Sequence, residues 1–162
     1  MSCLDEQSDR PVDWAQETVL RNENKMFRSA LAITGNRADA EDAVQDAFVK
    51  LFEKRPSFES SEHETAWLIR VTVNICKNLL RSPWRSKTAP LSDSYPARNE
   101  EQSDVLQAVL SLPAKYRAVI HLHYYEGYST KEVAALTKQK ESATREQLTR
   151  ARRMLKKYLE GE

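Results

Sequence analysis

The sequence predicts an all-α protein made of two small helical domains joined by a flexible linker. The chain has 162 residues, of which 30% are charged and only three are glycine, a composition typical of helical proteins. Apolar residues recur at helical spacing along both halves. This period is lost between Ser86 and Ser103, which contain Pro90, Pro96 and several serines. We therefore place a three-helix domain at residues 11–85, the linker at 86–103 and a four-helix domain at 104–162.

The N-terminal segment is polar and acidic, so residues 1–10 are expected to be disordered. A first helix is predicted from near Pro11 to about Thr34, with an imperfect apolar face. Gly35 is suited to ending that helix. Asn36, three residues before Asp39, is suited to capping the next one.

The second helix, roughly Arg37 to Lys54, has the most regular period in the chain. Its apolar stripe comprises Ala40, Ala43, Val44, Ala47, Phe48, Leu51 and Phe52. A solvent face of acidic and polar residues is expected away from that stripe. Two interpretations are open: charge placement that suits the helix dipole, or an acidic docking surface for a basic partner. This face comprises Asp39, Asp42, Gln45, Asp46 and Lys50.

Residues 55–64 are predicted to form a loop with one aromatic residue, Phe58, which either packs back onto the core or serves recognition. A third helix follows from Glu64, and Ser82-Pro83 should stop it. Its buried stripe is predicted at Leu68, Val71, Ile75 and Leu79.

A second face of the third helix carries aromatic, amide and cationic side chains. No acid occurs from Thr65 to Ser92. Cations neutralise phosphates, aromatics stack on unpaired bases and amides read base edges, so the face suits nucleic acid. The alternative is a solvated basic helix with a half-buried tryptophan. The face comprises Trp67, Arg70, Asn74, Lys77, Asn78 and Arg81, and Trp84, Arg85 and Lys87 extend it.

The second half is predicted to contain a short helix at 104–112, a helix from Pro113 to about Glu126 and a helix that begins at the capping box Ser129–Glu132. A break at Thr137–Lys140 leads into a final helix from about Glu141 to Leu159. A short helix, a tight turn and a longer basic helix form a helix-turn-helix.

In such a unit, the second helix enters the major groove of DNA. The alternative is a polar terminal helix on a small bundle. The groove candidates are Ser142, Arg145, Glu146, Gln147, Thr149 and Arg150, and the phosphate candidates are Lys138, Lys140, Arg153, Lys156 and Lys157.

Other chemistry is not favoured by the sequence. Cys3 and Cys76 are too few for a disulfide framework and are expected to be reduced thiols in a cytoplasmic protein. His121 and His123 point to different helix faces and do not share a metal easily. The sequence contains no phosphate-binding glycine loop and no nucleophile elbow. Its acidic and polar N-terminus is unlike a signal peptide, and no apolar run approaches the length of a membrane span, so neither feature is expected. We expect no metal, no cofactor and no enzymatic activity.

Four segments together resemble the bacterial sigma-70 family, in its short two-domain extracytoplasmic-function (ECF) group. The segments are GNRADAEDAVQDAFVKLFE, ETAWLIRVTVNICKNLLR, LSLPAKYRAVIHLHYYEGYSTKEVAALT and SATREQLTRARRMLKKYL, and the resemblance extends from about Met26 to Leu159. It implies a dissociable RNA polymerase subunit that acts in promoter-specific transcription initiation.

The resemblance also implies a role for each surface. The helix around Asp42, Gln45, Asp46 and Lys50 would dock on the β′ clamp helices of RNA polymerase. The Phe58 loop and the aromatic–basic face would capture and open the −10 promoter element. The helix-turn-helix would read the −35 element and touch the β flap, and an anti-sigma factor is an expected partner.

The chain departs from the family pattern at a few positions. Lys77-Asn78 stands where many members have aspartate, Lys138 and Gln139 stand at the usual glycine and aliphatic residue of the turn, and Thr144 replaces a common valine. Two other hypotheses are retained. One is a helix-turn-helix regulator that binds promoter DNA without acting as a polymerase subunit. The other is a helical adaptor that binds protein and makes no DNA contact.

Overall fold

The computed structural model describes residues 3–81 and 107–161, with side chains from Asp13 onward, and every regular element in these ranges is helical. The predicted all-α class is confirmed. The linker predicted at 86–103 lies outside the described residues. The helices are α1 (Cys3–Thr34), α2 (Arg37–Lys54), α3 (Ser61–Arg81), α4 (Ala114–Ile120), α5 (Thr130–Leu136) and α6 (Glu141–Leu159). Residues 107–110 are helical before α4, and a π-helical turn spans His121–Tyr125 after it.

The first helix begins at Cys3, earlier than predicted. We expected disorder through Arg10 and a start near Pro11, because proline is best tolerated in the first turn of a helix. The residues before Pro11 contain no glycine and include Leu4, Glu6 and Gln7. These are good helix formers, and their propensity favours continuing the helix on the N-terminal side of the proline.

The junction between α1 and α2 has the predicted caps. Gly35 has a φ of 69° and donates its N–H to the Leu31 carbonyl at 2.8 Å, as expected of a left-handed residue at a helix C-terminus. The Asn36 side chain accepts from the Asp39 N–H at 3.0 Å. Both bounds of α2 agree with the prediction, and its apolar stripe is buried except for a partly buried Phe52.

Helix α3 starts before the predicted Glu64. The Ser60 hydroxyl accepts from the His63 N–H at 3.1 Å and caps the helix, so the preceding loop ends at Ser60. The predicted stripe was also too narrow. Leu68 and Ile75 are buried, but Val71 and Leu79 are only half-buried. Because α3 packs against α1, α2 and α5, its buried face is wide and includes Ile69, Thr72, Val73 and Cys76.

The second half follows the predicted order of helices with two differences. Pro113 is the N-cap of α4 and does not lie in its first turn. The predicted helix to Glu126 changes after Ile120 into a π-helical turn, in which the Glu126 N–H donates to the His121 carbonyl at 3.0 Å. The capping box is present as predicted: the Ser129 side chain accepts from the Glu132 N–H and the Glu132 side chain accepts from the Ser129 N–H.

The helix-turn-helix turn is a Schellman motif. The Gln139 N–H donates to the Ala134 carbonyl at 2.8 Å, and the Lys138 N–H donates to the Ala135 carbonyl at 3.3 Å. Lys138 has a φ of 56°. It therefore occupies the left-handed position that glycine usually fills.

The hydrophobic core is continuous through both halves of the described chain. Met26, Leu51, Leu68, Val119 and Leu148 belong to one buried cluster. Helix α1 packs against α4, and α3 packs against α5. Within the described ranges, no helix combines the length and hydropathy needed to cross a membrane.

A buried arginine connects the two halves. The Arg117 guanidinium of α4 donates to the Ala32 carbonyl at 2.8 Å, to the Ile33 carbonyl and, within its own half, to the Leu112 carbonyl at 2.8 Å. Burial lowers the pKa of Arg117. Ala32 and Ile33 lie in the last turn of α1, where carbonyls have no intrahelical partner. Arg117 therefore caps a helix of the other half.

A second polar contact between the halves surrounds Glu126, whose side chain is only 4% exposed. Arg28 of α1 donates to its carboxylate at 3.1 and 3.3 Å. His121 Nε2 lies 2.7 Å from Oε2 of the same carboxylate, the oxygen that Arg28 Nε also contacts, and must donate, since an ionised carboxylate only accepts. Burial would raise the pKa of Glu126, but the hydrogen bonds and charges of His121 and Arg28 lower it to about 2.

Candidate nucleic-acid interfaces

The exposed face of α2 is smaller than predicted. Four of the five predicted residues are exposed, namely Asp42, Gln45, Asp46 and Lys50. Asp39 is only 6% exposed, so its predicted place on the solvent face is wrong. It lies near Cys76 of α3, and the pKa of that thiol is raised to about 12 by burial and then by the charge of Asp39. Sequence reasoning missed Val49, which is 51% exposed among the four polar residues.

The loop before α3 brings Phe58 back onto the helix. The Phe58 ring lies 5.9 Å from the Trp67 ring and 5.3 Å from the His63 ring. Phe58 therefore packs on its neighbours and supports the aromatic residue of the α3 face. Its predicted part in recognition stays a prediction. A cavity of about 910 Å³ opens between this loop and α1, and Trp14 and Arg21 are among its lining residues.

A buried acid near the start of α3, next to the Phe58 loop, connects α3 to α1. Glu64 is 5% exposed and accepts from Arg21 at 2.7 Å and from Asn22 at 3.2 Å. Both partners belong to α1, so this network fixes the start of α3 against α1. The burial of Glu64 could have been predicted from its spacing, because Glu64 lies four residues before the buried Leu68 and therefore on the same helix face.

The aromatic–basic face of α3 is only partly open to solvent. Arg70, Asn78 and Arg81 are exposed, whereas Trp67, Asn74 and Lys77 are half-buried. Lys77 Nζ donates to the Thr137 carbonyl of the helix-turn-helix turn at 3.1 Å. Its pKa is lowered by burial and by the nearby charges of Arg81 and Lys138. The predicted contributions of Trp84, Arg85 and Lys87 lie outside the described residues.

Helix α6 presents the predicted polar face. Its exposed members are Ser142, Arg145, Glu146, Thr149, Arg150 and Arg153, and Lys138 and Lys140 are exposed before it. Arg145 pairs with Glu141 at 3.4 Å and Arg150 with Glu146 at 2.6 Å. Such exposed pairs within one helix are weak, so both guanidinium groups can exchange these carboxylates for DNA.

Gln147 differs from the other groove candidates because it is half-buried and already paired. Its side-chain amide donates to Gln139 at 2.7 Å and accepts from Gln139 at 3.1 Å. Gln139 was missed as a site residue, although it belongs to the turn in which the sequence departs from the family pattern. The amide pair fixes Gln147 against the turn, so it must separate before Gln147 can read a base with both amide atoms.

Two family profiles match the chain in the order of these surfaces. The profile described as Sigma-70 region 2 matches residues 18–86, and the profile described as Sigma-70, region 4 matches residues 102–155. The chain is 31% identical over 156 residues to the ECF RNA polymerase sigma factor SigE of Mycolicibacterium smegmatis. It is 31% identical over 144 residues to the ECF RNA polymerase sigma factor SigM of Mycobacterium tuberculosis. These alignments cover 88% and 86% of this chain, and 60% and 74% of the respective relatives.

Solved structures agree with this similarity. The sigma factor RpoE from Bartonella quintana, in a co-crystal with the anti-sigma factor NepR, superposes with a TM-score of 0.73 at 26% identity, covering 91% of this chain and 97% of that one. CnrH, in complex with the cytosolic domain of CnrY, gives a TM-score of 0.67 at 23% identity, covering 91% and 88%, which shows a shared fold. The profiles, the relatives and the fold agree with the resemblance seen in the sequence: the chain belongs to the ECF group of the sigma-70 family of RNA polymerase sigma factors.

Proposed function

We propose that this chain is a dissociable sigma subunit that binds core RNA polymerase and directs promoter-specific transcription initiation. The observation that carries the proposal is that one chain presents two chemically different nucleic-acid surfaces. Helix α3 offers tryptophan, amides and cations, which suit an unpaired strand, and α5 with α6 offers a helix-turn-helix, which suits duplex DNA. A regulator that only binds duplex DNA needs the second surface and has no use for the first.

The first half, residues 11–85, would dock on polymerase and open the −10 element. Docking would use the exposed face of α2, with Asp42, Gln45, Asp46 and Lys50 around Val49, against the β′ clamp helices. An apolar centre within a charged rim is the usual anatomy of a protein interface. Asp39 is too buried for direct contact, and it supports the surface by stabilising the N-terminal turn of α2.

Opening of the −10 element would use the face of α3. Trp67, supported by Phe58, provides a ring on which an unpaired base can stack. Arg70 and Arg81 are placed for phosphates, and Asn74 and Asn78 for base edges. Lys77 would join this set once it leaves the Thr137 carbonyl, and Arg85 would extend it along the strand.

The second half, residues 104–162, would read the −35 element and contact the β flap. Residues near the N-terminus of α6 reach base edges in this kind of docking, which favours Arg145 and Arg150, together with Ser142, Glu146 and Thr149. Lys138, Lys140 and Arg153 suit phosphates. Gln147 would contribute to sequence readout after release from Gln139.

An anti-sigma factor is proposed as a further partner. The similar proteins RpoE and CnrH were solved in complexes with NepR and the cytosolic domain of CnrY, respectively. This chain has the same fold, so an anti-sigma factor would bind it and control its access to polymerase. The proposed role is that of a cytoplasmic initiation factor, without enzymatic activity or a cofactor of its own.

The test is transcription reconstituted from purified components. The chain is mixed with bacterial core polymerase and a pool of genomic promoter fragments, and the initiated RNAs are sequenced. We expect discrete start sites that require the chain. Co-elution with core should accompany them. Absence of both, with duplex binding retained, would overturn the proposal in favour of an ordinary helix-turn-helix regulator.

A substitution tests the −10 surface within the same assay. Trp67→Ala should reduce promoter opening roughly tenfold, since base–aromatic stacking contributes about 1–3 kcal/mol, and it should leave co-elution with core unchanged. Tyr158→Ala, which removes an exposed aromatic at the end of α6, is the matched control. Equal effects of the two changes would contradict the assignment of Trp67.

A further inference from the structure

A basic cleft lies where the helix-turn-helix turn meets the first half. Its volume is about 330 Å³. Helix α2 contributes two cations and α3 and the turn contribute one each, while no acid lines the cleft. In the part of the chain that the structure describes, none of these four cations is in an ion pair. The lining residues are Lys50, Lys54, Trp67, Arg70, Val71, Asn74 and Lys138.

The two halves hold these like charges together. Lys138 belongs to the turn between α5 and α6, and the turn is fixed against α3 by the bond from Lys77 Nζ to the Thr137 carbonyl. Like charges brought close together repel, and the repulsion is strongest where protein excludes water. A bound anion would remove this repulsion. The cleft is therefore electrostatically suited to an anion as long as the halves stay in contact.

The residue types indicate which anion fits. Lysine ammonium groups bind phosphate as point charges, and a guanidinium group such as that of Arg70 can donate to two phosphate oxygens. Four cations exceed the charge of a single phosphate and suit a chain of two or three. The volume is at the lower end of the range for small-molecule sites, and Trp67 and Asn74 add a stacking surface and an amide.

We propose that this cleft binds a small multivalent phosphate, the di- or triphosphate group of a nucleotide or a short inorganic polyphosphate, which bridges the two halves of the chain. Because Lys138 comes from one half and the other lining residues from the other, the ligand stabilises the closed arrangement. It also covers Trp67 and Asn74. Because these two residues belong to the proposed −10 surface, the ligand would compete with the −10 strand; this consequence rests on the proposed function.

The experiment measures binding of inorganic tripolyphosphate and of ATP to the full chain by isothermal titration calorimetry at constant ionic strength. Lys138→Gly is the informative change, because glycine accepts the φ of 56° and the turn stays folded. It should weaken tripolyphosphate binding about tenfold, or ~1.4 kcal/mol. Lys131→Gln removes the same charge from an exposed position on α5, outside the cleft lining, and should change binding less than about twofold.

Two results would overturn the proposal. One is the absence of tripolyphosphate binding to the unmodified chain. The other is equal weakening by Lys138→Gly and Lys131→Gln, which would indicate general charge attraction without a site. Tighter binding of ATP than of tripolyphosphate would assign the nucleotide as the ligand, and equal binding would assign the phosphate chain alone.

Failure of this site and failure of the proposed function give different results. A chain that initiates transcription with core polymerase but does not bind tripolyphosphate retains the function and loses the site. A chain that binds tripolyphosphate through Lys138 but supports no initiation retains the site and loses the function. An increase in fluorescence energy transfer between dyes on the two halves when tripolyphosphate is added would confirm the bridging.

Discussion

The pair of contacts around Glu126 leads to a prediction about pH. Glu126→Gln keeps the size of the side chain, but glutamine carries no charge and accepts less strongly from both Arg28 and His121. The folded-state pKa of Glu126 is about 2, against a usual value of 4.5. This difference corresponds to at most ~3 kcal/mol of stability. Arg28 is half exposed, and solvent screening reduces the expected contribution to about 2 kcal/mol.

The sign follows from the lowered pKa. Above about pH 4.5, Glu126 is ionised in both the folded and the unfolded chain, and its full contribution to stability is present. As the pH falls further, the unfolded chain takes up the proton first, and the contribution is lost as the pH approaches about 2. A protonated glutamate resembles glutamine. The difference in unfolding free energy between the two proteins should therefore be about 2 kcal/mol near pH 7 and should shrink below about pH 4.5.

The assay is urea unfolding followed by far-ultraviolet circular dichroism at a series of pH values. Glu141→Gln is the control, since Glu141 pairs with Arg145 of the same helix at an exposed position; it should cost less than about 0.5 kcal/mol at any pH. A Glu126→Gln effect that does not change with pH, or that is no larger than the control, would refute the reasoning. The contact would then contribute through packing and not through charge.

Three further predictions concern local features. Lys138→Gly should raise the free energy of unfolding by about 1 kcal/mol, because it relieves a left-handed backbone; Lys138→Ala should bring no comparable gain in urea unfolding. Asn36→Ala should lower stability by about 1 kcal/mol through loss of the α2 cap, whereas Asn36→Asp should retain it, as thermal unfolding would measure. In a Cys3→Ser protein, Cys76 should react with iodoacetamide only as fast as the chain unfolds, since its thiol is buried with a pKa of about 12; rapid labelling without denaturant would contradict this.

The features predictable from sequence were the ones that local signals specify. Helix α2 has a glycine and a cap before it and a regular apolar stripe, and both of its bounds were predicted. The start of α3 was missed because the cap at Ser60 pairs with His63, which is not the usual acidic partner of such boxes. The π-helical turn has no local signal that we recognise. It brings Glu126 to His121 and to Arg28 of a distant helix, and only the folded chain shows that contact.

For the candidate site too, sequence predicted the features that depend on helical spacing and missed those that depend on helix packing. Helical spacing placed Arg70, Asn78 and Arg81 on an exposed face, and the structure agrees. Spacing could not show that Lys77 donates a hydrogen bond to the turn of the other half. Nor could it show that Asp39 is buried near Cys76 of α3. Both features depend on which helices pack together. Whether the exposed residues make the proposed DNA and polymerase contacts stays a prediction.

Arg117 has a consequence for the order in which the chain folds during synthesis. The carbonyls of Ala32 and Ile33 accept from Arg117, which lies 85 and 84 residues further along the chain, respectively. At about 5–20 residues per second, the ribosome needs roughly 4–17 s to add that length. During this interval the carbonyls of Ala32 and Ile33 have only water or a chaperone to replace Arg117 as hydrogen-bond donor. The first half therefore emerges with an unfinished helix end, and translation of the second half completes it.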